Sequence, residues 1–228
     1  MRKTFFLILS FLFSIAVKAE YSPTTMWPYL YEDFTEGLVM YRSGSAIKAK
    51  LNIHLENGEL QYLEGDAIMT TDLRNIDYAV IGTDKFVVAE QSMMKVLDEN
   101  ESRTAFVLLS TLGDFEALFV GTGAYGSSAN TQAVRSQSSL EIGGKSVVSH
   151  AKLLVEKKED NGKSLSIKEK LYIKVGSISA PAYQKDVERV FELSGNQEWK
   201  SFLKSNKIKW RKPEDLYKVA EYLSSIAG

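Results

Sequence analysis

The chain has 228 residues, with 28 Lys and Arg against 29 Asp and Glu, two His and no Cys. A balance this close to neutral argues against nucleic acid or another polyanion as partner. The lack of Cys excludes disulfides, thiolate metal sites and a cysteine nucleophile, and two histidines leave little for acid–base chemistry near neutral pH.

Arg2 and Lys3 precede an apolar run from Phe5 to Val17 that is too short and wrongly flanked for a membrane span. Val17 and Ala19 place small residues at the −3 and −1 positions of a cleavage site, so residues 1–19 read as a secretory signal peptide, with a retained anchor as the alternative. Cleavage before Glu20 leaves 25 basic and 29 acidic residues and predicts an exported protein, periplasmic or secreted. Without disulfides such a protein must be held by its core alone.

Residues 21–34, YSPTTMWPYLYEDF, combine Pro23 and Pro28 with a cluster of aromatics. The prolines interrupt regular structure. Trp27, Tyr29, Tyr31 and Phe34 read either as an aromatic platform for a sugar or peptide, or as an N-terminal arm pinned across the open end of a sheet.

Glu36 to Leu63 reads as three strands and two tight turns. Ile47, Ala49, Leu51, Ile53 and Leu55 alternate with Lys48, Lys50, Asn52, His54 and Glu56, which predicts one buried face and one wet face. Ser43-Gly44 marks the first turn, and Asn57-Gly58 predicts a two-residue hairpin with both residues at positive φ. Strand segments then follow at Ile76–Ile81, Lys85–Ala89, Met93–Leu97 and Ala105–Leu109, separated by turn signals and without helical period. That spacing predicts an antiparallel roll, sandwich or barrel.

Gly121, Gly123 and Gly126 fit G-x-G-x-x-G, but no helical stripe follows, so a dinucleotide cofactor is not expected. Residues 121–146 are mainly small and polar and predict a flexible or ligand-covering loop, in which Tyr125 and Arg135 are the side chains best suited to recognition. Val147 to Val175 predicts a long hairpin turning at Asn161-Gly162, with Lys168, Lys170 and Lys174 as a positive row on a solvated edge.

From Ala182 the period becomes helical. Val187, Val190 and Phe191 form one stripe, Trp199, Phe202 and Leu203 a second, and Leu216, Val219, Ala220, Leu223 and Ile226 a third, the last helix opening at Pro213. Lys200, Lys204, Lys207, Lys209, Arg211, Lys212 and Lys218 make this stretch basic, either the wet face of a packed helical tail or a surface for anionic headgroups of the envelope.

No G-x-S-x-G elbow and no H-x-x-x-H occurs, and strand alternation places His54 and His150 towards solvent. Twenty-nine acids leave a two-carboxylate hydrolase open without selecting a pair.

The segments W-P-Y-L-Y (27–31), D-F-x-E-G (33–37), L-N-I-H-L (51–55), M-M-K-V (93–96) and G-x-G-A-Y-G (121–126) resemble uncharacterised exported proteins of Gram-negative gut and oral bacteria. The resemblance implies export and a β-rich fold, and implies no activity, cofactor or site. The expected architecture is α+β: a signal peptide at 1–19, a β-rich domain at 20–182 with its loop at 121–146, and a helical tail at 183–228 packed upon it. The expected role is a non-catalytic binding or envelope-associated module, without metal or cofactor, for a protein, peptide or glycan ligand. Trp27, Tyr29, Tyr31, Tyr125 and Arg135 are the candidate contacts. The alternative is a carboxylate-dependent hydrolase of envelope or host polymers.

Overall fold

A computed structural model describes residues 28–65, 67–114, 139–142, 145–148 and 166–227. The segment read as a signal peptide, together with Trp27, the G-x-G-x-x-G match, Tyr125, Arg135, His150 and the Asn161-Gly162 turn, lies outside the described residues.

The fold is α+β, built on one ten-stranded antiparallel sheet. The first strands are β1 (Thr35–Tyr41), β2 (Ala46–His54), β3 (Glu59–Glu64) and β4 (Ala67–Thr70). A 3-10 turn at Leu73–Asn75, capped by the Asp72 side chain, leads to β5 (Ile76–Ile81), which returns beside β1 instead of continuing outward from β4. From there β6 (Asp84–Ala89), β7 (Ser92–Glu99) and β8 (Ala105–Gly113) run as a meander. A separate two-stranded antiparallel sheet pairs β9 (Ser139–Ile142) with β10 (Lys145–Val148). The main sheet resumes with β11 (Ile167–Val175) against β8 and ends at β12 (Ile178–Pro181). Helices α1 (Gln184–Val190), α2 (Gln197–Asn206) and α3 (Pro213–Ala227) follow.

Sheet order is β12-β11-β8-β7-β6-β5-β1-β2-β3-β4, and the two edges do not pair with each other. The architecture is therefore a curled open roll. Bends come from register shifts at Met40/Tyr41 and between Val96 and Asp98, where an unpaired residue raises the local twist. The curl is closed by bonds between strands that are not neighbours. Met93 N–H donates to the Gly58 carbonyl at 2.8 Å, Gly113 N–H to the Leu55 carbonyl at 2.8 Å, and the Ser92 hydroxyl to the Asn57 carbonyl at 2.7 Å.

Because the sheet curls, β6 and β7 are covered on both faces. Phe86 and Met93 join Val39, Leu51, Ile53, Leu60, Ile76, Ala79 and Ile81 in one core, whereas Val87 and Met94, their neighbours in sequence, join Ala89, Phe106 and Leu108 in another. The helices supply a third core. Val187, Trp199, Leu216, Val219, Ala220 and Leu223 pack on Ala105, Val107, Ile173, Val175 and Ala180, with Trp210 half-buried beside them. Short amphipathic helices of this length are marginal alone in water, so docking on β8 and β11 is what sustains them. Ile226, the last member of the α3 stripe, is left exposed at the end of the helix.

The structure revises several sequence expectations. Asn57-Gly58 is not a two-residue turn: the last β2–β3 pair is His54 with Glu59, so the loop spans Leu55 to Gly58, and only Gly58 has positive φ, at 70°. The tight turn with two positive-φ residues is Glu90-Gln91 (48° and 62°), joining β6 to β7 without a glycine or asparagine to signal it. Residues 139–142 and 145–148 pair as antiparallel strands within and beyond the stretch read as a loop, with Leu140 opposite Val147. Strand β11 is not an edge: β8 pairs along its whole length and β12 pairs from Tyr172 to Val175, while the first arm and the turn of the expected 147–175 hairpin lie, beyond Val148, outside the described residues. Of the lysine row, Lys168 pairs with Asp114 at 2.9 Å, Lys170 lies over Tyr172 and Tyr183, and Lys174 is half-buried.

Candidate functional site

His54 and Asn52 do not face solvent: they are 3% and 0% exposed. What covers them is the segment before β1. Leu30 N–H donates to the Ile53 carbonyl at 2.9 Å and Leu55 N–H to the Pro28 carbonyl at 2.8 Å, so residues 28–31 lie along β2 as an irregular extra strand. Asn52 makes this possible. Its Oδ1 accepts from the Tyr31 and Ile53 N–H groups, and its Nδ2 donates to the Tyr31 and Asp33 carbonyls, at 2.9–3.3 Å. A strand side chain predicted to be wet is thus a fully bonded clamp for a segment whose backbone has no ladder of its own.

The two described tyrosines of the aromatic cluster are committed to the same clamp. The Tyr29 hydroxyl donates to Gln61 at 2.9 Å while its ring meets Phe34 and His54 edge-on, and the Tyr31 hydroxyl donates to Asp84 at 2.7 Å. Asp84 also pairs with Lys95 at 2.7 Å. Burial opposes ionisation of Asp84, but hydrogen bonds from Lys95 and Tyr31 outweigh it and hold the carboxyl below its usual range. His54 Nδ1 accepts from the Glu56 N–H at 3.4 Å. These groups fasten the arm, and neither tyrosine lines the cleft described next.

That cleft, of about 1020 Å³, lies where the β2–β3 loop, the β4–β5 connection and the β6–β7 turn converge. Its charged lining is Glu56, Glu59, Asp72 and Glu90 with Arg42 and Arg74. The sequence carries no signal for this set, because the three segments are distant in the chain and only the curl brings them together. Each is locally stiff. Thr71 bonds the Leu60 carbonyl through both its N–H and its hydroxyl, at 3.0 and 2.9 Å. Gly58, at positive φ, sits against Ser92 so closely that a Cβ there would come within 2.8 Å of the Ser92 Cβ. Glu90 and Gln91 hold left-handed backbone conformations that ordinary residues adopt at a cost, sustained here by pairing on both sides of the turn.

Three of the four acids are held by neighbours. Asp72 receives the Arg74 N–H and guanidinium, which keep its carboxyl below the usual range. Glu59 accepts from Asn57 at 2.9 Å, and Glu90 from Ser179 of β12 at 2.8 Å. Glu56 is different: its half-buried carboxylate has no hydrogen bond or ion pair among the described residues, and burial, reinforced by the Glu59 charge, pushes its pKa up. The arrangement can accept hydrogen bonds or a positive charge at Glu56 against a rigid rim.

Among the described residues no group of three or more His, Cys, Asp or Glu could hold a metal ion, and no helix is long and apolar enough to cross a membrane. Comparison with protein-family models, with curated proteins and with solved structures finds no match to this chain.

Proposed function

We propose that the protein is an exported, non-catalytic binding module whose ligand enters the cleft between the β2–β3 loop, the β4–β5 connection and the β6–β7 turn. The observation that carries this reading is the contrast within the lining: Asp72, Glu59 and Glu90 are engaged by neighbours that fix the rim, which leaves Glu56 as the carboxylate with accepting capacity to spare. Acids outnumber cations in the lining, so the ligand is a peptide or glycan segment that presents amino or hydroxyl donors. Export rests on the signal-like residues 1–19 and on the resemblance to exported bacterial proteins.

One feature favours a second reading, a carboxylate-dependent hydrolase: Glu56 keeps its proton to higher pH than an ordinary glutamate, as a general acid would, and Glu59 is near enough to contribute to that shift. The hydrogen bond from Asn57 to Glu59 counts against free use of the second carboxylate.

Amide-shift titration of the full chain with a lysine-containing tripeptide and with a glucosamine oligomer separates these readings. Binding should move signals of Glu56, Asn57, Gly58, Gln91 and Ser92, and Glu56→Gln should weaken it about tenfold or more, the loss of one charge-assisted hydrogen bond. Release of cleaved product from either probe would replace the binding reading with the hydrolase. Absence of any shift at these amides would remove the cleft from consideration.

A further inference from the structure

A second cavity, of about 380 Å³, forms where the start of β8 and the β11–β12 turn meet the β1–β2 turn and the start of β5. Its charged lining is Arg42, Arg103 and Lys174 with Asp77, a net charge of +2 from side chains that come from four separate parts of the chain. Among the described residues none of the three cations is in an ion pair. In the same sheet Lys85, Lys95 and Lys168 do pair, with Glu99, Asp84 and Asp114. Three cations against the single carboxylate of Asp77 leave a net repulsion, a cost that an anion in the cavity reduces.

Each cation stands on an ordered piece of backbone. Arg42 Nε donates to the Ile76 carbonyl at 3.2 Å and its backbone N–H to the Asn75 carbonyl at 2.9 Å, leaving the outer guanidinium N–H groups to turn elsewhere. Arg103 occupies a left-handed position (φ 55°) in a turn tied by Asn100, whose side chain accepts from the Thr104 and Ala105 N–H groups at 2.9 Å. Lys174 lies between Phe106 and Ser179 in the ladder, and its ammonium donates to the Gly176 carbonyl. Two guanidinium forks and an ammonium suit an anion with several oxygens. A net +2 matches a phosphate monoester, which is close to dianionic above its second pKa of about 6.

We propose that this cavity binds the phosphate of a phosphate monoester, with Arg103 and Lys174 as its principal contacts and Arg42 as the third. Burial holds the Lys174 ammonium below the usual lysine range and the Arg42 charge pushes it the same way, with Asp77 opposing; a bound dianion offsets both unfavourable effects. The monoester comes either from a small soluble molecule or from the headgroup of a lipid such as phosphatidic acid, and the chemistry of recognition is the same.

The test is amide-shift titration of the full chain with glycerol phosphate at pH 7.5, ionic strength held constant with sodium chloride. Saturable shifts are expected at Arg103, Thr104, Gly176 and Ser177. Lys174→Met, which keeps the apolar stem, and Arg103→Asn, which tolerates the left-handed backbone, should each weaken binding about tenfold or more. If one variant fails to fold, the other decides. Cosedimentation with phosphatidic acid vesicles but not phosphatidylcholine vesicles, lost in Lys174→Met, supports the lipid source; saturation by glycerol phosphate without vesicle binding supports the soluble one. Shifts that never saturate, or that are the same in both folded variants as in the wild type, overturn the proposal.

Discussion

Two parts of one sheet are covered in different ways. Over β2 and β3 the cover is an irregular arm, residues 28–34, and the contact surface is polar: Asn52, His54 and Gln61 are buried there, and Tyr29, Tyr31 and Asp84 bond across it. Over β8, β11 and β12 the cover is helical, and the buried residues that the helices contribute are all apolar. The difference follows from where backbone hydrogen bonds go. A helix satisfies its own N–H and C=O groups and needs only an apolar stripe to dock, whereas an irregular segment brings unsatisfied groups that the strand side chains beneath must meet.

This contrast is broken most severely on the helical side by Trp199→Ala. Trp199 is 1% exposed and packs on Phe202, Trp210 and Tyr222, so its removal should cost about 3–5 kcal/mol in denaturant unfolding. A loss below about 1 kcal/mol would mean that the helices contribute little to the fold.

On the arm side the corresponding change is Asn52→Leu, which keeps the branching at Cγ and the number of side-chain heavy atoms and replaces polar surface with apolar. It should nevertheless destabilise by about 2–4 kcal/mol, since the Tyr31 N–H and the Tyr31 and Asp33 carbonyls lose their buried partner. Unchanged stability would show that packing alone holds the arm.

Smaller, and dependent on pH, is Asp84→Asn. The folded-state pKa of Asp84 is depressed, so its contribution is fully present above the unfolded value and is lost as pH falls through the folded one. The variant should be about 1 kcal/mol less stable than wild type at pH 7, with the difference shrinking below about pH 4. A gap that does not depend on pH would assign the effect to packing.

The smallest effect is expected at Tyr222, whose buried hydroxyl has no hydrogen-bond partner among the described residues while its ring stacks on Phe202 at 4.3 Å. Tyr222→Phe should be neutral or stabilising by up to about 1 kcal/mol, because it removes an unsatisfied polar atom and keeps the stack. A clear loss of stability would make the helical core more like the arm than its composition suggests.

Much of the framework was legible from residue pattern. Strands β1 to β3 and β5 to β8 lie where alternation and turn signals placed them, and Pro213 opens the last helix as expected. Strand β4 was missed because its four residues, Ala-Ile-Met-Thr, are all exposed and alternate with nothing. The Glu90-Gln91 turn was missed because neither residue is one that favours positive φ. Of the residues first suspected of ligand contact, the two that the structure describes, Tyr29 and Tyr31, hold the arm. The cleft residues Glu56, Glu59 and Glu90 look in sequence like any charged residues beside turns.

By itself the sequence determined which stretches are strands and helices and which apolar side chains point together, since both follow from periods of two and 3.6 residues along the chain. Only the tertiary structure decided the fate of the other face of each strand. Lys48 and Lys50 are wet while Asn52 and His54, two and four residues further on, are buried, because the arm lies over one end of β2 and not the other. Likewise, the curl that carries the β2–β3 loop to β7, and the β11–β12 turn to Arg42, created both cavities from residues with no local relation. Periodicity specifies the direction in which a side chain points; what it meets there depends on the paths of segments remote in sequence, and no local pattern encodes them.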